Sequence, residues 1–491
     1  MLYFNRTELR DHIYACWKGK NIGGTMGTPY EGRREILDIQ GFVTKEGEVL
    51  PNDDLDLQLI WLKAMEEQGP NAVNERVLGE YWLSYIGPNW NEYGVGKSNM
   101  REGFVPPISG EIMNDEWRNS NGAWIRSEIW ASLYPGQPDQ AIRYAYYDAC
   151  VDHGYGEGTY AAIFTAALES MAYVLKDIPK LLELALSKIP EGCRVARSVR
   201  LVMKAYKDGI DWKTARNMIV EDSADLGWFQ APANVAFTIL GLLYGEGDFK
   251  KSMILAINCG DDTDCTGATV GALMGILYGS AGIPEDWSRY LGDDIVTCCL
   301  LKGHGPYPGT CTQLTDIVMN MLSVTLHQPF NGRLSAYPAV VHDGETDFSQ
   351  LNAGQYAGSA FAEALMRRKR YSFEAENLLV NALVEFDEEP RLTPNGEITG
   401  NITIRNKTFP EQKHYQLEWI LPEGWQASGR RALYYNPSTL IQYQPGEPMP
   451  GTSAAFTLTA GEMVAAKNEL LLKISVTGRS LPLIIPINIL G

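Results

Sequence analysis

Apolar residues recur every three or four positions from residue 1 to about residue 330, and glycine or proline marks most breaks between these runs. That spacing gives an α-helix one buried face. In the stretch LDLQLIWLKAMEEQGP, Leu55, Leu59 and Leu62 share a face, and a Gly-Pro pair follows the last polar turn as a helix stop. No alternation of strand and helix patterns interrupts these runs, so the sequence predicts a large all-α domain over residues 1–330.

The pattern changes after about residue 370 to short β-branched runs separated by Gly, Pro and Asn. Examples are GEITGNITIRNKTF, HYQLEWILPEGW and NELLLKISVTGRSLPLIIPINIL. Such runs predict an all-β domain, an antiparallel sandwich of the immunoglobulin-like kind, over residues 371–491. Residues 331–370 show neither pattern clearly and are predicted to be a linker or additional helices.

The stretch GDDTDCTGATVGALMGILYG joins an acidic cluster to a smooth, small-residue helix. Asp262 and Asp264 stand with Asp261 and two threonines, and residues 258–279 contain no Lys or Arg. Clustered carboxylates repel one another, and a hard divalent cation relieves that repulsion by taking oxygen ligands. The alternative is that these residues only cap the helix. The glycines that follow at a strict spacing of four predict that another backbone approaches this helix closely.

A second acidic cluster, PNDDLDLQLIWL, places Asn52, Asp53 and Asp54 at the start of another apolar helix. Helix capping is again the alternative, because Asn and Asp are common at helix starts. Two such clusters about 200 residues apart in one helical domain suggest convergent ligands for one or two Mg²⁺ ions. Mn²⁺ is the other candidate ion.

Three further segments contain candidate binding residues. GKNIGGTMGTPYEGRRE predicts a glycine-rich loop or structural turn that includes Gly27 and leads to Glu31. SNGAWIRSEIW offers polar groups to a ligand, and DHGYGEG places a histidine in a turn, where the alternative is a hydrogen-bonded core histidine. The candidate ligand-binding residues in these two segments are Asn121, Gly122, Arg126 and His153.

Charge and cysteine content narrow the class of protein. The chain has 491 residues and a formal net charge of −18, which argues against the basic face that nucleic-acid binding needs. The sequence contains no apolar run of about 18 residues, so we expect a soluble chain without a membrane span. Eight cysteines without a CxxC pair are typical of free thiols and predict a cytoplasmic location. The oligomeric state is not predicted.

The order of these motifs resembles the ADP-ribosylglycohydrolase family, which includes the dinitrogenase-reductase-activating glycohydrolases. The resemblance covers roughly residues 8–300, is strongest at GDDTDCTGATVGALMGILYG followed by GIPEDW, and includes NDDLDLQL, GTMGTPYEG, SNGAWIR and DHGYGEG. It implies an orthogonal bundle of helices with a binuclear magnesium site. The implied metal ligands are Asn52, Asp53, Asp54, Asp262, Asp264 and Thr266. The implied catalytic carboxylates are Glu31, Asp53 and Asp262, and the implied substrate-binding residues are Gly27, Asn121, Gly122, Arg126 and His153.

Two departures from the family pattern concern the metal site. The first motif has Asn52 and Leu55 where the family usually has threonines. The second has Cys265 at a position that is commonly threonine, followed by Thr266. A thiol is a poor Mg²⁺ ligand, so either Thr266 supplies the hydroxyl or one ion site is weakened.

The resemblance implies Mg²⁺-dependent hydrolysis of an N- or O-glycosidic bond at the anomeric carbon of an ADP-ribosyl group, on a small molecule or a modified protein. An alternative keeps the fold and the metal but makes the substrate a furanoside or other carbohydrate. The C-terminal domain favours it, because LTPNGEITGNITIRNKT with LEWILPEGW resembles modules appended to carbohydrate-active enzymes. A second alternative, suggested by Asn52, Leu55 and Cys265, is a non-catalytic sugar- or nucleotide-binding module.

Overall fold

A computed structural model of the chain describes residues 1–301, 303–326, 337–407, 412–435 and 451–491. The predicted combination of an all-α part and a C-terminal all-β part is confirmed. The helices are α1 (Arg6–Gly27), α2 (Asp53–Gln68), α3 (Glu75–Tyr85), α4 (Asn91–Arg101), α5 (Glu128–Leu133), α6 (Pro138–His153), α7 (Glu157–Ala172), α8 (Ile178–Leu186), α9 (Arg194–Lys207), α10 (Trp212–Asp222), α11 (Ala231–Gly245), α12 (Phe249–Asn258), α13 (Thr263–Tyr278), α14 (Glu285–Leu291), α15 (Cys311–Thr325) and α16 (Ala360–Met366).

Local sequence explains where several helices begin and end. The Asn5 side chain caps α1 by accepting hydrogen bonds from two backbone N–H groups of the first turn. At the C-terminal end of α2, Gly69 has a φ of +77° and donates its N–H to the carbonyl oxygen of Met65. This is the helix stop that the Gly-Pro pair predicted. Among the described helices, none is both long and apolar enough to cross a membrane.

Helices α1 and α13 cross antiparallel at backbone contact distance in the centre of the helical part. A Cβ atom built on Gly19 would lie 2.0 Å from the carbonyl oxygen of Gly271, and one built on Gly23 would lie 2.0 Å from that of Gly267. Only glycine permits such an approach. The prediction that another backbone packs against the glycine stripe of α13 is therefore confirmed, and α1 is that backbone.

The segment predicted as a glycine-rich loop or turn before Glu31 is helical instead. Gly23, Gly24 and Gly27 form the last turns of α1. The prediction of a loop was wrong because contact with α13 outweighs the low intrinsic helix propensity of glycine.

The C-terminal part contains two antiparallel sheets that share one core. The strands are β3 (Ser372–Glu376), β4 (Val380–Phe386), β5 (Glu397–Asn406), β6 (Lys413–Ile420), β7 (Gln426–Gly429), β8 (Ala432–Tyr435), β9 (Gly451–Thr459), β10 (Lys467–Val476) and β11 (Leu483–Leu490). One sheet has the strand order β11-β10-β6-β8 and the other β3-β4-β5-β9-β7. Alternate side chains of β5 and β10 point into the core, as the period-2 pattern predicted.

Contacts between distant segments cross the predicted domain boundaries. Strand β1 (Leu2–Asn5) pairs in parallel with β2 (Ala339–His342), so the helical part begins with a strand that the sequence pattern did not show. Phe104 and Ile108 belong to the core of the sandwich. Within the predicted linker, residues 331–336 lie outside the described residues, and the remainder contains β2 and α16. The exact domain boundaries stay a prediction.

Candidate active site

Both acidic clusters and Glu31 line one pocket of about 610 Å³. The pocket lies where the N-terminal ends of α2 and α13 meet the segment that follows α1. Its size is that of a typical small-molecule site. The lining residues include Glu31, Asp53, Trp90, Phe229, Asp262 and Asp264.

The N-terminus of α13 holds one group of carboxylates. Oxygens of Glu31, Asp262 and Asp264 lie within 4.8 Å of one another. Asp262 accepts a hydrogen bond of 2.6 Å from the Asn121 side-chain amide, and its backbone N–H donates to Oδ1 of Asn234 over 3.2 Å. Two amide side chains thus fix the orientation of Asp262.

The N-terminus of α2 brings the second group to the same place. Asn52 caps this helix by accepting the N–H of Asp54 at 2.7 Å. Asp53 accepts a hydrogen bond of 2.8 Å from the hydroxyl of Tyr93. Asp54 is fully buried and accepts a hydrogen bond from the Cys265 thiol at 3.2 Å.

In these two carboxylate groups, three buried oxygens have no hydrogen-bond partner within the described residues: Asp54 Oδ2, which lies 3.6 Å from the Lys20 ammonium, Asp262 Oδ1 and Asp264 Oδ1. Buried polar atoms normally have partners, because leaving them without one costs free energy. Carboxylate oxygens converging on one point are the donor set that Mg²⁺ or another hard divalent cation takes. The residues present therefore fit the metal that the resemblance implied.

The pKa values of these carboxyl groups show the cost of assembling the cluster without a cation. Burial, followed by the charge of Asp264, raises the pKa of Asp262 well above its usual value. Burial likewise raises the pKa of Asp54, partly offset by Lys20. Glu31 is exposed at the pocket surface, yet repulsion from Asp264 and then desolvation raise its pKa to about 8. A divalent cation would stabilise the ionised forms.

The structure distinguishes the two candidate ligands that follow Asp264. The Thr266 hydroxyl is fully buried and donates to the carbonyl oxygen of Thr263 at 3.3 Å. The Cys265 sulfur, in contrast, lies within 4.8 Å of carboxylate oxygens of Asp54 and Asp264. The thiol, rather than the threonine hydroxyl, faces the acids. The ligand roles of Thr266 and Asn52 stay predictions, and the structure gives both side chains structural hydrogen bonds.

Asp261, the third acid of the cluster at the start of α13, positions the pocket wall. Its carboxylate accepts hydrogen bonds from the Phe229 backbone N–H at 3.1 Å and from the Asn234 amide at 3.3 Å. Both Asp261 and Phe229 have positive φ angles, of 69° and 54°. For a bulky residue such as Phe229 this conformation is strained, and hydrogen bonding to Asp261 holds it.

A buried lysine behind the acids was not predicted from the sequence. Lys20 of α1 lies 2.8 Å from Glu128 and 3.6 Å from Asp54, and all three side chains are at most 1% exposed. Gln58 donates to the second oxygen of Glu128 at 2.9 Å. A charged residue among the small residues of a glycine-spaced helix is the sequence signal that could have revealed it.

Arg126 and His153, predicted to bind substrate, are fully buried and bonded to protein groups. Arg126 forms ion pairs of 2.9 Å with Asp148 and 2.8 Å with Asp152, and it donates to the carbonyl oxygen of Gly122. His153 lies 2.9 Å from Asp152 through Nδ1. This network holds the segment that lines the pocket, so direct substrate contact by either residue stays a prediction.

The remaining predicted substrate-binding residues divide between the pocket and the helix contact. Asn121 and Gly122 line the pocket. Gly122 donates its N–H to Glu92, and a Cβ at this position would lie 2.3 Å from the Glu92 carboxylate. Gly27 is buried instead against α13, where a Cβ would lie 2.2 Å from the carbonyl oxygen of Thr263.

Comparison with known proteins identifies the family of the helical part. The family model for ADP-ribosylglycohydrolase matches residues 5–320. The chain belongs to the ADP-ribosylglycohydrolase family. This membership confirms the resemblance that the order of the motifs predicted.

Two curated relatives match only a short part of the chain. ADP-ribosylarginine hydrolase Tri1 of Pseudomonas putida (strain GB-1) is 40% identical over 48 residues, which are 10% of this chain and 13% of that protein. The protein of the same name from Serratia proteamaculans (strain 568) is 40% identical over 45 residues, or 9% and 12%. A solved structure, a FixG-related protein from Vibrio parahaemolyticus, aligns with 23% of this chain and 95% of its own at 13% identity, with a TM-score of 0.19.

Proposed function

We propose that this member of the ADP-ribosylglycohydrolase family hydrolyses an N- or O-glycosidic bond at the anomeric carbon of an ADP-ribosyl group in a Mg²⁺-dependent reaction. The observation that carries the proposal is the convergence of carboxylates from both acidic motifs at one pocket, with three buried oxygens that lack a hydrogen-bond partner in the described part of the chain. The family match and the names of the two relatives support the same substrate class.

Asp53, Asp54, Asp262 and Asp264 would hold one or two Mg²⁺ ions, with Mn²⁺ as the other candidate. When bound, the metal supplies positive charge that orients sugar hydroxyls and a water molecule. The hydroxyl of Tyr93 and the amide of Asn121 keep Asp53 and Asp262 in fixed orientations.

The chain's own carboxylates would then carry out the proton and charge chemistry. Glu31 is exposed to the pocket and close to Asp262 and Asp264, so it can accept the proton of the attacking water. Asp53 and Asp262 face the pocket, where their negative charge would stabilise the positive charge that develops at the anomeric carbon as the leaving group departs.

A neutral carbohydrate glycoside is the second candidate substrate, and one observation favours it. Among the described residues that line the pocket, none is Lys or Arg, although ADP-ribose carries two phosphates. Aromatic side chains are present instead, with Trp90 half exposed at the pocket. Aromatic rings and amides without basic groups suit an uncharged sugar.

Parallel assays with two substrates test the proposal. An ADP-ribosylated arginine peptide and a set of aryl furanosides are incubated with Mg²⁺ and, separately, with EDTA. We expect Mg²⁺-dependent release of ADP-ribose. Furanoside cleavage without release of ADP-ribose would replace the first proposal by the second.

A matched pair of variants assigns the activity to the site. Asp262→Asn removes a carboxylate from the cluster, whereas Asp294→Asn removes the same charge from an exposed position. We expect loss of turnover only in Asp262→Asn. Tight ligand binding without turnover on either substrate, unchanged by Asp262→Asn, would support the non-catalytic binding module. A cytoplasmic location stays a prediction.

A further inference from the structure

A second group of potential ligands lies one helical turn beyond Asp53 on α2. Carboxylate and sulfur atoms of Asp56, Cys298 and Cys299 lie within 4.8 Å of one another. Positions 53 and 56 are three residues apart and therefore share a helix face. The proposed Mg²⁺ ligands Asp53, Asp54, Asp262 and Asp264, called the oxygen-rich cluster below, do not include this group. The chemistry proposed above does not use it.

The separation of the two sulfur atoms matches the geometry of a metal chelate. Cys298 Sγ and Cys299 Sγ are 3.7 Å apart. Two thiolates bound to one tetrahedral Zn²⁺ with bonds of about 2.3 Å lie about 3.8 Å apart, the edge of that tetrahedron. The pair is therefore spaced for chelation of a single ion without rearrangement.

Asp56 provides an independent observation that points to a cation. Its side chain is fully buried, and Oδ2 accepts the backbone N–H groups of Cys298 and Cys299, each at 2.6 Å. Oδ1 is buried and has no hydrogen-bond partner within the described residues. Burying a carboxylate oxygen without a hydrogen-bond partner costs free energy, and a cation is the simplest group that would stabilise it.

Backbone hydrogen bonds hold the cysteine segment in place. The carbonyl oxygen of Cys299 accepts the N–H of Gly87 at 2.8 Å, and Leu301 donates to Tyr85 at 2.9 Å. Lys97 in turn donates to the carbonyl oxygens of residues 86–88. The potential ligands are thus preorganised, and the exposed Cys298 leaves an entry path from solvent.

We propose that Asp56, Cys298 and Cys299 form a binding site for a thiophilic divalent cation of the Zn²⁺ or Cd²⁺ class, with solvent completing the coordination. Two thiolates select such ions, whereas the group around Asp264, in which carboxylates outnumber the single thiol of Cys265, selects hard ions such as Mg²⁺. Cys298 also lines the active-site pocket. An ion bound here would add positive charge to the pocket rim beside Asp53 without displacing the hard cation.

Cd²⁺ titration of the full chain tests the proposal. The protein is kept reduced with a phosphine, which leaves the metal free of competing thiols, and saturating Mg²⁺ fills the oxygen-rich site. We expect a thiolate-to-Cd²⁺ charge-transfer absorption that saturates at one equivalent. Cys298→Ser and Cys299→Ser should each lower the affinity for Cd²⁺ at least about tenfold. Loss of a residue that only hydrogen-bonds a metal ligand already lowers metal affinity by about that factor, and these two cysteines would be ligands themselves.

Two further cysteine variants provide the controls. Cys193 accepts the N–H of Ala196 as a helix cap, a role that serine fills well, so Cys193→Ser removes one thiol and should leave the titration unchanged. Cys265→Ser removes the thiol of the oxygen-rich site and should also leave it unchanged. No absorption in the parent chain, or absorption that Cys298→Ser and Cys299→Ser retain, would overturn the proposal. Loss in Cys265→Ser alone would assign the ion to the other cluster.

Alkylation of the unsubstituted chain gives a second measurement that does not depend on the folding of a variant. Zn²⁺ added with excess Mg²⁺ should slow modification of Cys298 by a maleimide, read by peptide mass spectrometry. An unchanged rate would contradict the proposal. Neither measurement uses turnover, so failure of this site and failure of the glycohydrolase proposal remain distinguishable.

Discussion

Replacing Gly271 with alanine tests whether the contact between α1 and α13 is as tight as the structure shows. The added Cβ would lie 2.0 Å from the carbonyl oxygen of Gly19 and 2.5 Å from its carbonyl carbon. Both are backbone atoms of a helix and cannot rotate away. The two helices must therefore move apart.

The expected destabilisation follows from two opposing contributions. Overpacking a well-packed interior costs about 1 to 3 kcal/mol, and contact with a rigid backbone places this site at the upper end. Alanine returns about 1 kcal/mol through its higher helix propensity. We expect Gly271→Ala to lower the free energy of unfolding by about 2 kcal/mol, the difference between these contributions.

Gly267→Ala is the matched control on the same helix. Its Cβ would lie 2.9 Å from both the carbonyl oxygen of Gly23 and Cγ1 of Ile257, a much smaller overlap than the one at Gly271, so we expect a smaller loss of stability. Urea unfolding followed by helical ellipticity measures the free energy of unfolding of both variants. Its dependence on urea concentration, the m value, should equal that of the parent chain. Equal effects of the two substitutions, or a Gly271→Ala protein as stable as the parent, would refute the close packing.

Three other predictions concern the cluster and its support. Cys265→Thr should bind Mg²⁺ more tightly, because a hydroxyl is a harder ligand than a thiol, and unchanged or weaker binding by calorimetry would contradict this. Burial raises the pKa of Asp262, and a neighbouring aspartate raises that of Glu31 to about 8. The unfolded chain therefore releases these protons at lower pH than the folded chain, so metal-free stability should fall as the pH rises from about 4 to 8, and less steeply in Asp262→Asn. Lys20→Met should cost about 3 to 5 kcal/mol by leaving buried carboxylates unpaired, whereas Lys63→Met, from a partly exposed pair, should cost under about 1 kcal/mol; equal losses in urea unfolding would contradict the difference.

The acidic residues could be found from the sequence because their chemistry is local. Several carboxylates without a basic neighbour in the chain already indicate repulsion that something must relieve, wherever the segment lies. The hydrophobic period likewise predicted α2, including its end before Gly69. Both signals depend on neighbours within a few residues, which the sequence shows directly.

Side-chain direction across distant segments was not predictable in this way. Lys20 reaches Asp54 and Glu128, which are 34 and 108 residues away, only because α1 crosses the N-terminal ends of other helices. Arg126 has the polarity of a substrate ligand but is fully buried and pairs with Asp148 and Asp152. Motif spacing shows which groups are available, and packing decides which of them face the pocket.

The glycine pattern of α1 was misinterpreted for a related reason. Glycine is a weak helix former, so a stretch with several glycines favours a loop when it is considered alone. Residues 19, 23 and 27 have the same spacing of four as residues 267, 271 and 275, and the match between the two series is the signal that identifies a helix pair. Each stripe exposes backbone that only the other can cover.

The paired stripes also determine the geometry of the active site. Because α1 and α13 run antiparallel, the C-terminal end of α1 lies beside the N-terminal end of α13, which brings Glu31 to Asp262 and Asp264. The free N–H groups and the dipole at the start of α13 favour negative charge at that end. Contact between two backbones has no rotamers through which to relax, so the distance between these carboxylates is held more rigidly than side-chain packing would hold it. A substitution in the stripe, far from the pocket, should therefore weaken Mg²⁺ binding together with stability.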